Sequence, residues 1–438
     1  MIFATLVSGC DSHKGGPASG AAASAKPQVP GPLCAIEHVK CGSVVRSNSS
    51  TVDYAIFGAG GTSKGLVLVE PGGPGFDLFR RSDLGFVVLP DQLRSYDLLM
   101  IREPWASTPP GKQCLDGLRT LGESLSEAAT QRPVTDTTCH LTNWTSTTYL
   151  QAVDAVLGAE GRPLTGIVGQ SYGALPAAEA ARHLPDAWLI LNAPIAPSSL
   201  SGDSLLKGRE AAFESAIDAS YARQCVKLKT PCSVKGTAVV TAALSRMGEQ
   251  ALKQRSTPLR AGDLELAVMA AAYDLRANES WLWRTLTALP AISTDDWSLL
   301  GRLADQLIQR AGGGGDVSPR LAAYFAGVCR SYAGWAPADG NRRRMNLLLR
   351  ATAVECAAAG TRASGWASSP VSRRADVCLF LNDQDTVARA ADAAAWEKIF
   401  PGSAVHTYRY DGHLSLDRAT RLIRPGPACR PLVANDQK

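Results

Sequence analysis

The chain has 438 residues, enough for one large α/β domain with an insertion or for two ordinary domains. Hydrophobic residues make up 45% and charged residues 19%, which excludes a disordered chain. The formal net charge of +5 is spread without long blocks of one sign, so nothing favours nucleic acid, and Arg342-Arg343-Arg344 reads as the solvated side of a helix.

Met1 to Val7 is mostly apolar, and Val7-Ser8-Gly9-Cys10 follows the order of a bacterial lipobox: an aliphatic residue, two small residues, then cysteine. The apolar run is shorter than a usual signal peptide and no basic residue precedes it. Asp11 to Pro32, rich in Gly, Ala, Ser and Pro, reads as a tether. The expectation is export, with Cys10 lipidated and residues 1–31 forming signal and tether. Any membrane link then runs through the lipid, since no other apolar run approaches the ~18–20 residues of a spanning helix. The protein is expected in the bacterial cell envelope or outside the cell. Setting Cys10 aside leaves ten of the eleven cysteines, an even set suited to disulfides in an oxidising compartment. Proximity suggests Cys34 with Cys41, Cys114 with Cys139 and Cys225 with Cys232, leaving Cys329, Cys356, Cys378 and Cys429 to pair among themselves. Cys34, His38 and Cys41 have ligand-like spacing but no evident fourth ligand, so no metal is expected, and no cofactor either.

Ser50 to Phe57 alternates like a strand, Gly58 to Lys64 is a glycine-rich turn, and Gly65 to Val69 is a short buried strand; together they predict a hairpin. Tyr96 to Ile101 and Leu164 to Val168 are further apolar strands, the second preceded by a helix near Thr147 to Leu157 and followed by one over Ala174 to His183. Ala187 to Leu191 is the next strand. Between about Ser198 and Ser369 the pattern turns helical, interrupted by Gly312 to Gly315. Strand texture returns at Val377 to Leu381 and Val405 to Tyr410, before a last helix near Leu416 to Ile423. The expected fold is a mostly parallel sheet with helices on both faces, divided into a first core part (32–197), a helical cap (198–370) and a second core part (371–438).

Gly-x-Ser-x-Gly occurs twice. A nucleophile elbow needs a strand ending at the first glycine and a helix starting after the second, so that the turn projects the hydroxyl. Ser63, in Gly61-Thr62-Ser63-Lys64-Gly65, precedes a strand and fails. Ser171, in Gly169-Gln170-Ser171-Tyr172-Gly173, follows one strand and precedes a helix. A serine needs a base, and the order in this arrangement is Ser, acid, His. Of the histidines beyond the cap, His406 lies inside a strand and His413 just past its end, so His413 is the expected base. Asn382-Asp383-Gln384-Asp385 leaves the preceding strand with two carboxylates; Asp385 is preferred and Asp383 is the reserve. Oxyanion donors are expected from the main chain of Tyr172 and of Gly73, in Pro71-Gly72-Gly73-Pro74-Gly75.

This loop before a Gly-Gln-Ser-Tyr-Gly elbow resembles the proline iminopeptidase and tripeptidyl aminopeptidase family of α/β-hydrolases, as do Leu189 to Pro194 and Leu379 to Asp385. The resemblance covers roughly Leu66 to Pro197 and Val377 to His413. It implies the α/β-hydrolase fold with an inserted helical cap, a triad of Ser171, Asp385 and His413, and a serine peptidase that removes residues from peptide N-termini. Two departures stand out: Arg102-Glu103-Pro104-Trp105 replaces an Asp-x-Arg-Gly-x-Gly turn, and Asn382 stands where glycine is common. Ammonium recognition calls for a carboxylate, for which Glu355 is a candidate. A carboxylesterase or related acyl hydrolase, or a non-catalytic binding lipoprotein on the same fold, are the alternatives, so the expected substrate is a small peptide or ester.

Overall fold

The computed structural model describes residues 32–433 apart from 47–49, 76, 78, 80–88, 108–109, 128–138, 140–143, 251–258, 290, 309–317, 337–346, 360–364, 367–369, 372–375, 414 and 424. Cys10, the tether, the Gly312 to Gly315 run and Arg342 to Arg344 lie outside the described residues.

Eight strands form one sheet: β1 (Val39–Val45), β2 (Thr51–Phe57), β3 (Leu66–Glu70), β4 (Asp97–Ile101), β5 (Leu164–Gln170), β6 (Trp188–Asn192), β7 (Val377–Asn382) and β8 (Ala404–Tyr408). They lie in the order β1-β2-β4-β3-β5-β6-β7-β8. β1 and β2 are antiparallel to their neighbours, and every pairing from β4 to β8 is parallel. The predicted hairpin between β2 and β3 is not formed. β2 pairs with β1 and β4, while both edges of β3 are taken in parallel by β4 and β5. The segment Gly58 to Lys64 therefore carries the chain across β4 instead of turning it back. β1 was hidden by its composition: Lys40, Gly42 and Ser43 break the apolar alternation.

The two-residue period of the strands divides the core. Leu66, Leu68, Ile167, Leu189 and Leu379 face one layer of helices, and Val67, Val69, Val168, Ile190 and Phe380 face the other. Against the first layer pack α1 (Lys112–Ser126), α2 (Ser146–Glu160) and α3 (Ala174–His183). Between β6 and β7 come α4 (Gly202–Gln224), α5 (Gly236–Gln250), α6 (Ala261–Ala272), α7 (Leu275–Ala288), α8 (Thr294–Ile308), α9 (Pro319–Ser331) and α10 (Leu347–Ala359), with no strand among the described residues there. α11 (Ala393–Ile399) and α12 (Leu416–Leu422) complete the chain, and Leu416 and Ala419 cover the second layer. Among the described residues no helix is long and apolar enough to cross a membrane.

Ten cysteines form five disulfides. The proximal pairs Cys34–Cys41, Cys114–Cys139 and Cys225–Cys232 are made, and the other four join as Cys329–Cys356 and Cys378–Cys429. The first bridge consumes the two thiols of the Cys34, His38, Cys41 cluster. Five bridges suit an oxidising compartment.

Candidate active site

Ser171 sits at the C-terminal end of β5, where the chain turns into a short 3-10 segment, Ser171–Gly173, and then into α3. Its φ is 55°, a left-handed conformation that few side-chain-bearing residues adopt and that the strand-to-helix elbow imposes. The elbow is packed against the loop after β3. A Cβ added to Gly173 would lie 2.1 Å from the Glu70 carbonyl oxygen and 2.7 Å from Gly72 N, so only a hydrogen fits between the two turns. Ser63, in the rejected motif, donates to the Gly65 carbonyl at 3.0 Å and accepts Asp97 N at 3.3 Å, tying its turn to the start of β4.

β7 ends in the loop that carries the acid, and β8 in the loop that carries the histidine. The His413 Nδ1 lies 3.0 Å and 2.9 Å from the two oxygens of Asp385. One of those oxygens, Oδ1, also accepts the main-chain N–H groups of Val387 (2.7 Å) and Ala388 (2.8 Å), and the carboxylate is buried. An ionised carboxylate can only accept, so Nδ1 carries the imidazole proton and Nε2 is left with a lone pair. That Nε2 is buried and has no hydrogen-bond partner among the described residues. Asp383 is exposed and His406 stacks on Phe380 at 5.3 Å, inside β8, which removes both from the constellation.

Ser171 and His413 line the same cavity, of about 600 Å³, together with Gly73 and Pro74 of the glycine loop. Tyr172 points its side chain behind this wall, where its hydroxyl meets Ser331 Oγ at 2.7 Å. Its main-chain N–H, the group of interest, directly follows Ser171. Glu355 is buried within α10 and does not line the cavity. The carboxylates that do are Asp274 and Asp417, each beside an arginine: Arg418 Nη1 lies 2.7 Å from Asp274, and Arg421 Nη2 lies 3.0 Å from Asp417. α9 roofs the cavity and leans on the glycine loop. A Cβ on Gly75 would lie 2.4 Å from the Arg320 carbonyl oxygen, and one on Gly327 would lie 2.6 Å from the Cβ of Pro74.

Both departures from the family pattern hold this site together. Asn382 Nδ2 donates to the carbonyls of Tyr410 (2.8 Å) and Gly412 (2.6 Å), and its Oδ1 accepts from Gln384 N (3.1 Å) and Tyr410 N (2.9 Å). One buried amide thus ties the acid loop to the histidine loop, a role a glycine cannot fill. Arg102 grips both oxygens of Asp77 at 3.1 Å, just past the glycine loop, and Glu103 accepts Gly75 N at 3.0 Å and Trp105 Nε1 at 2.5 Å. The segment Arg102 to Trp105 is therefore a buttress for Pro71 to Gly75.

This is the α/β-hydrolase fold. Its parallel strands, the elbow after β5, and an acid and a histidine after β7 and β8 occur here in the order that defines it. No protein-family model matches the chain, and no curated protein sequence does. Among solved structures the chain is similar to an acetylester hydrolase from Corynebacterium glutamicum, at 15% identity and a TM-score of 0.41, over 87% of this chain and 91% of that one. It is also similar to an alpha/beta hydrolase fold protein from Nakamurella multipartita, at 14% identity and a TM-score of 0.35, over 90% and 98%. A haloalkane dehalogenase loop variant from Bradyrhizobium elkanii aligns at 13% identity with a TM-score of 0.33, over 88% and 94%.

Behind the α/β-hydrolase elbow, Glu70 and Glu103 face a void of about 30 Å³. Burial pushes the Glu70 carboxyl up to about 8; the neighbouring Glu103 charge adds to this, and the Tyr149 hydroxyl at 2.6 Å opposes it. Burial likewise pushes Glu103 up to about 7, with Asp77 adding and its two donors opposing. Each carboxyl therefore keeps its proton in the folded protein over a range where the unfolded chain, at an ordinary 4.5, has lost it. With the folded state binding more protons, stability falls as pH rises from about 4.5 to about 8 and then levels. Each group contributes a slope of about 1.4 kcal/mol per pH unit between its unfolded and folded values. Thermal unfolding at pH 5 to 9 checks this: the Glu70→Gln, Glu103→Gln double variant should show a flatter profile, and an unchanged one excludes these two groups as its source.

Proposed function

We propose that the chain is a serine hydrolase that forms an acyl-enzyme on Ser171. The observation that carries this reading is the state of His413: Nδ1 held by Asp385, Nε2 buried, unpaired, and on the wall that Ser171 shares. In this reading Nε2 takes the Ser171 proton as Oγ attacks a carbonyl carbon, and the imidazolium is stabilised by Asp385. The main-chain N–H groups of Gly73 and Tyr172 receive the oxyanion. His413 then returns the proton to the leaving group, and a water repeats the sequence to release the acyl group. No metal or cofactor takes part.

The finer reading is an exported exo-aminopeptidase, lipid-anchored at Cys10, that trims peptide N-termini. It is supported by the Pro-Gly-Gly-Pro-Gly loop, by the roof of inserted helices over the cavity, and by the disulfides. A second reading, an ester or related acyl hydrolase, is favoured by one observation. Both cavity carboxylates, Asp274 and Asp417, already have arginine partners, so neither is left unpaired for a substrate ammonium.

Fluorophosphonate labelling tests the shared claim. Ser171 should label, and Ser171→Ala should abolish labelling and hydrolysis; an unlabelled wild-type protein points to the binding lipoprotein instead. Peptidyl aminomethylcoumarins with free and blocked N-termini separate the finer readings, because equal turnover of both removes the aminopeptidase.

A further inference from the structure

Arg209, on α4, is a half-buried cation among the inserted helices with no carboxylate paired to it among the described residues. Its Nη1 donates to the Tyr324 hydroxyl at 2.8 Å, and its Nε is buried without an acceptor. It borders a void of about 10 Å³ just behind the catalytic cavity, in company with Tyr273 and Thr386. A guanidinium whose Nε is buried without an acceptor or counter-charge is costly to keep, and its surroundings here are the back sides of cavity residues: Tyr273 and Tyr324 both line the 600 Å³ chamber.

Tyr324 is the one that touches it. The residue rises from α9 beside the oxyanion loop, its main-chain nitrogen 3.1 Å from the place a Cβ on Gly75 would occupy. A phenol has one proton to give and accepts through oxygen. Arg209 occupies the accepting side, so the Tyr324 proton is left to point elsewhere, and no described residue accepts it. A hydroxyl that accepts from a cation is also a stronger donor than one that does not.

We propose that the Tyr324 hydroxyl, polarised by Arg209, donates a hydrogen bond to an acceptor oxygen in the acyl portion of the substrate. The cavity thereby selects acyl groups that carry a carbonyl beyond the scissile one over plain alkyl chains. This rests on the reading of Ser171 as the nucleophile. Tyr324 is a specificity-determining residue; Arg209 acts through it and is a positioning residue. With an alkyl acyl group the hydroxyl loses water without gaining a partner, which disfavours that substrate.

The test uses two nitrophenyl esters with the same leaving group and acyl chains of equal length: N-acetylglycine, which has the second carbonyl, and 4-methylpentanoate, which does not. Tyr324→Phe should lower kcat/KM for the acetylglycyl ester by about tenfold and leave the other within about twofold. Arg209→Met should produce the same selective loss, several-fold in size, and Arg209→Lys should restore most of it. Comparing the ratio between variant and wild type removes the intrinsic reactivity of the esters. Equal losses on both esters, or none, overturn the inference. Fluorophosphonate labelling of Ser171 in every variant keeps the two claims apart. Normal labelling with an unchanged ratio ends only the role of Tyr324, whereas a wild type that neither labels nor hydrolyses ends the hydrolase reading and this inference with it.

Discussion

Asp385→Asn should lower kcat by about 10⁴ with little change in KM. The reason lies in the hydrogen bonds the carboxylate collects. Its Oδ1 accepts Val387 N and Ala388 N, so a carboxamide must keep its oxygen there and turn its NH₂ toward His413. Two donors cannot face one another. His413 then presents a bare Nδ1 to the amide and carries its proton on Nε2, where it can no longer take one from Ser171. Steady-state kinetics on an activated ester, with circular dichroism to check folding, read the effect directly. Asp383→Asn serves as the control, since Asp383 is exposed and should change activity less than about twofold. A loss below tenfold in Asp385→Asn assigns the acid to another residue.

Gly173→Ala should be severely disruptive. Gly173 has an ordinary φ of −60°, so alanine could adopt its backbone without strain. What forbids it is space: the new carbon meets Glu70 O at 2.1 Å and Gly72 N at 2.7 Å, and both are backbone atoms. To relieve this, the elbow must move away from the end of β3, which takes Ser171 away from the oxyanion loop. The expected result is a loss of about 3–5 kcal/mol in stability, read by denaturant titration, and a fall of at least about 100-fold in kcat/KM. Gly111→Ala is the matched control, because a Cβ there meets nothing within 4 Å and φ is −68°. If Gly173→Ala melts like Gly111→Ala, the two turns are not in the contact described.

Which parts of the site could be read from sequence follows from how local their causes are. Ser171 was legible because strand, glycine, serine, glycine and helix are contiguous, so the pattern and the geometry are the same object. Asp385 and His413 were legible through chain order, once Ser171 and the strands on either side of the helical stretch were placed. The proximal cysteine pairs followed from short separations. The features that failed were set by distant partners. The exchange of a β2–β3 hairpin for a β1–β2 one depends on β4 inserting between β2 and β3 from more than twenty-five residues along the chain. Asn382 reads as a deviation from a family pattern until the carbonyls of Tyr410 and Gly412 are seen around it. Glu103 reads as an oddity in a turn until Gly75 N is found on it. Glu355 had the chemistry for an ammonium site, but it lies two turns beyond Leu348 on the same side of α10, and helical periodicity alone could not say that the cavity, which Leu348 lines, ends short of it. Arg209 offered no signal, since one arginine in a long helix resembles any other.

The interlock between α9 and the glycine loop limits how this cavity could be reshaped. Arg320 O against Gly75 and Gly327 against Pro74 leave no slack between the roof of the cavity and the glycine loop. Enlarging the chamber by shifting α9 would misplace Gly73 along with it. Leu307 on α8 and Leu348 on α10 line the same chamber from helices without that contact. On the proposed function, a library that varies those two leucines and leaves α9 untouched is the route to new substrates that does not begin by displacing the loop beside Ser171.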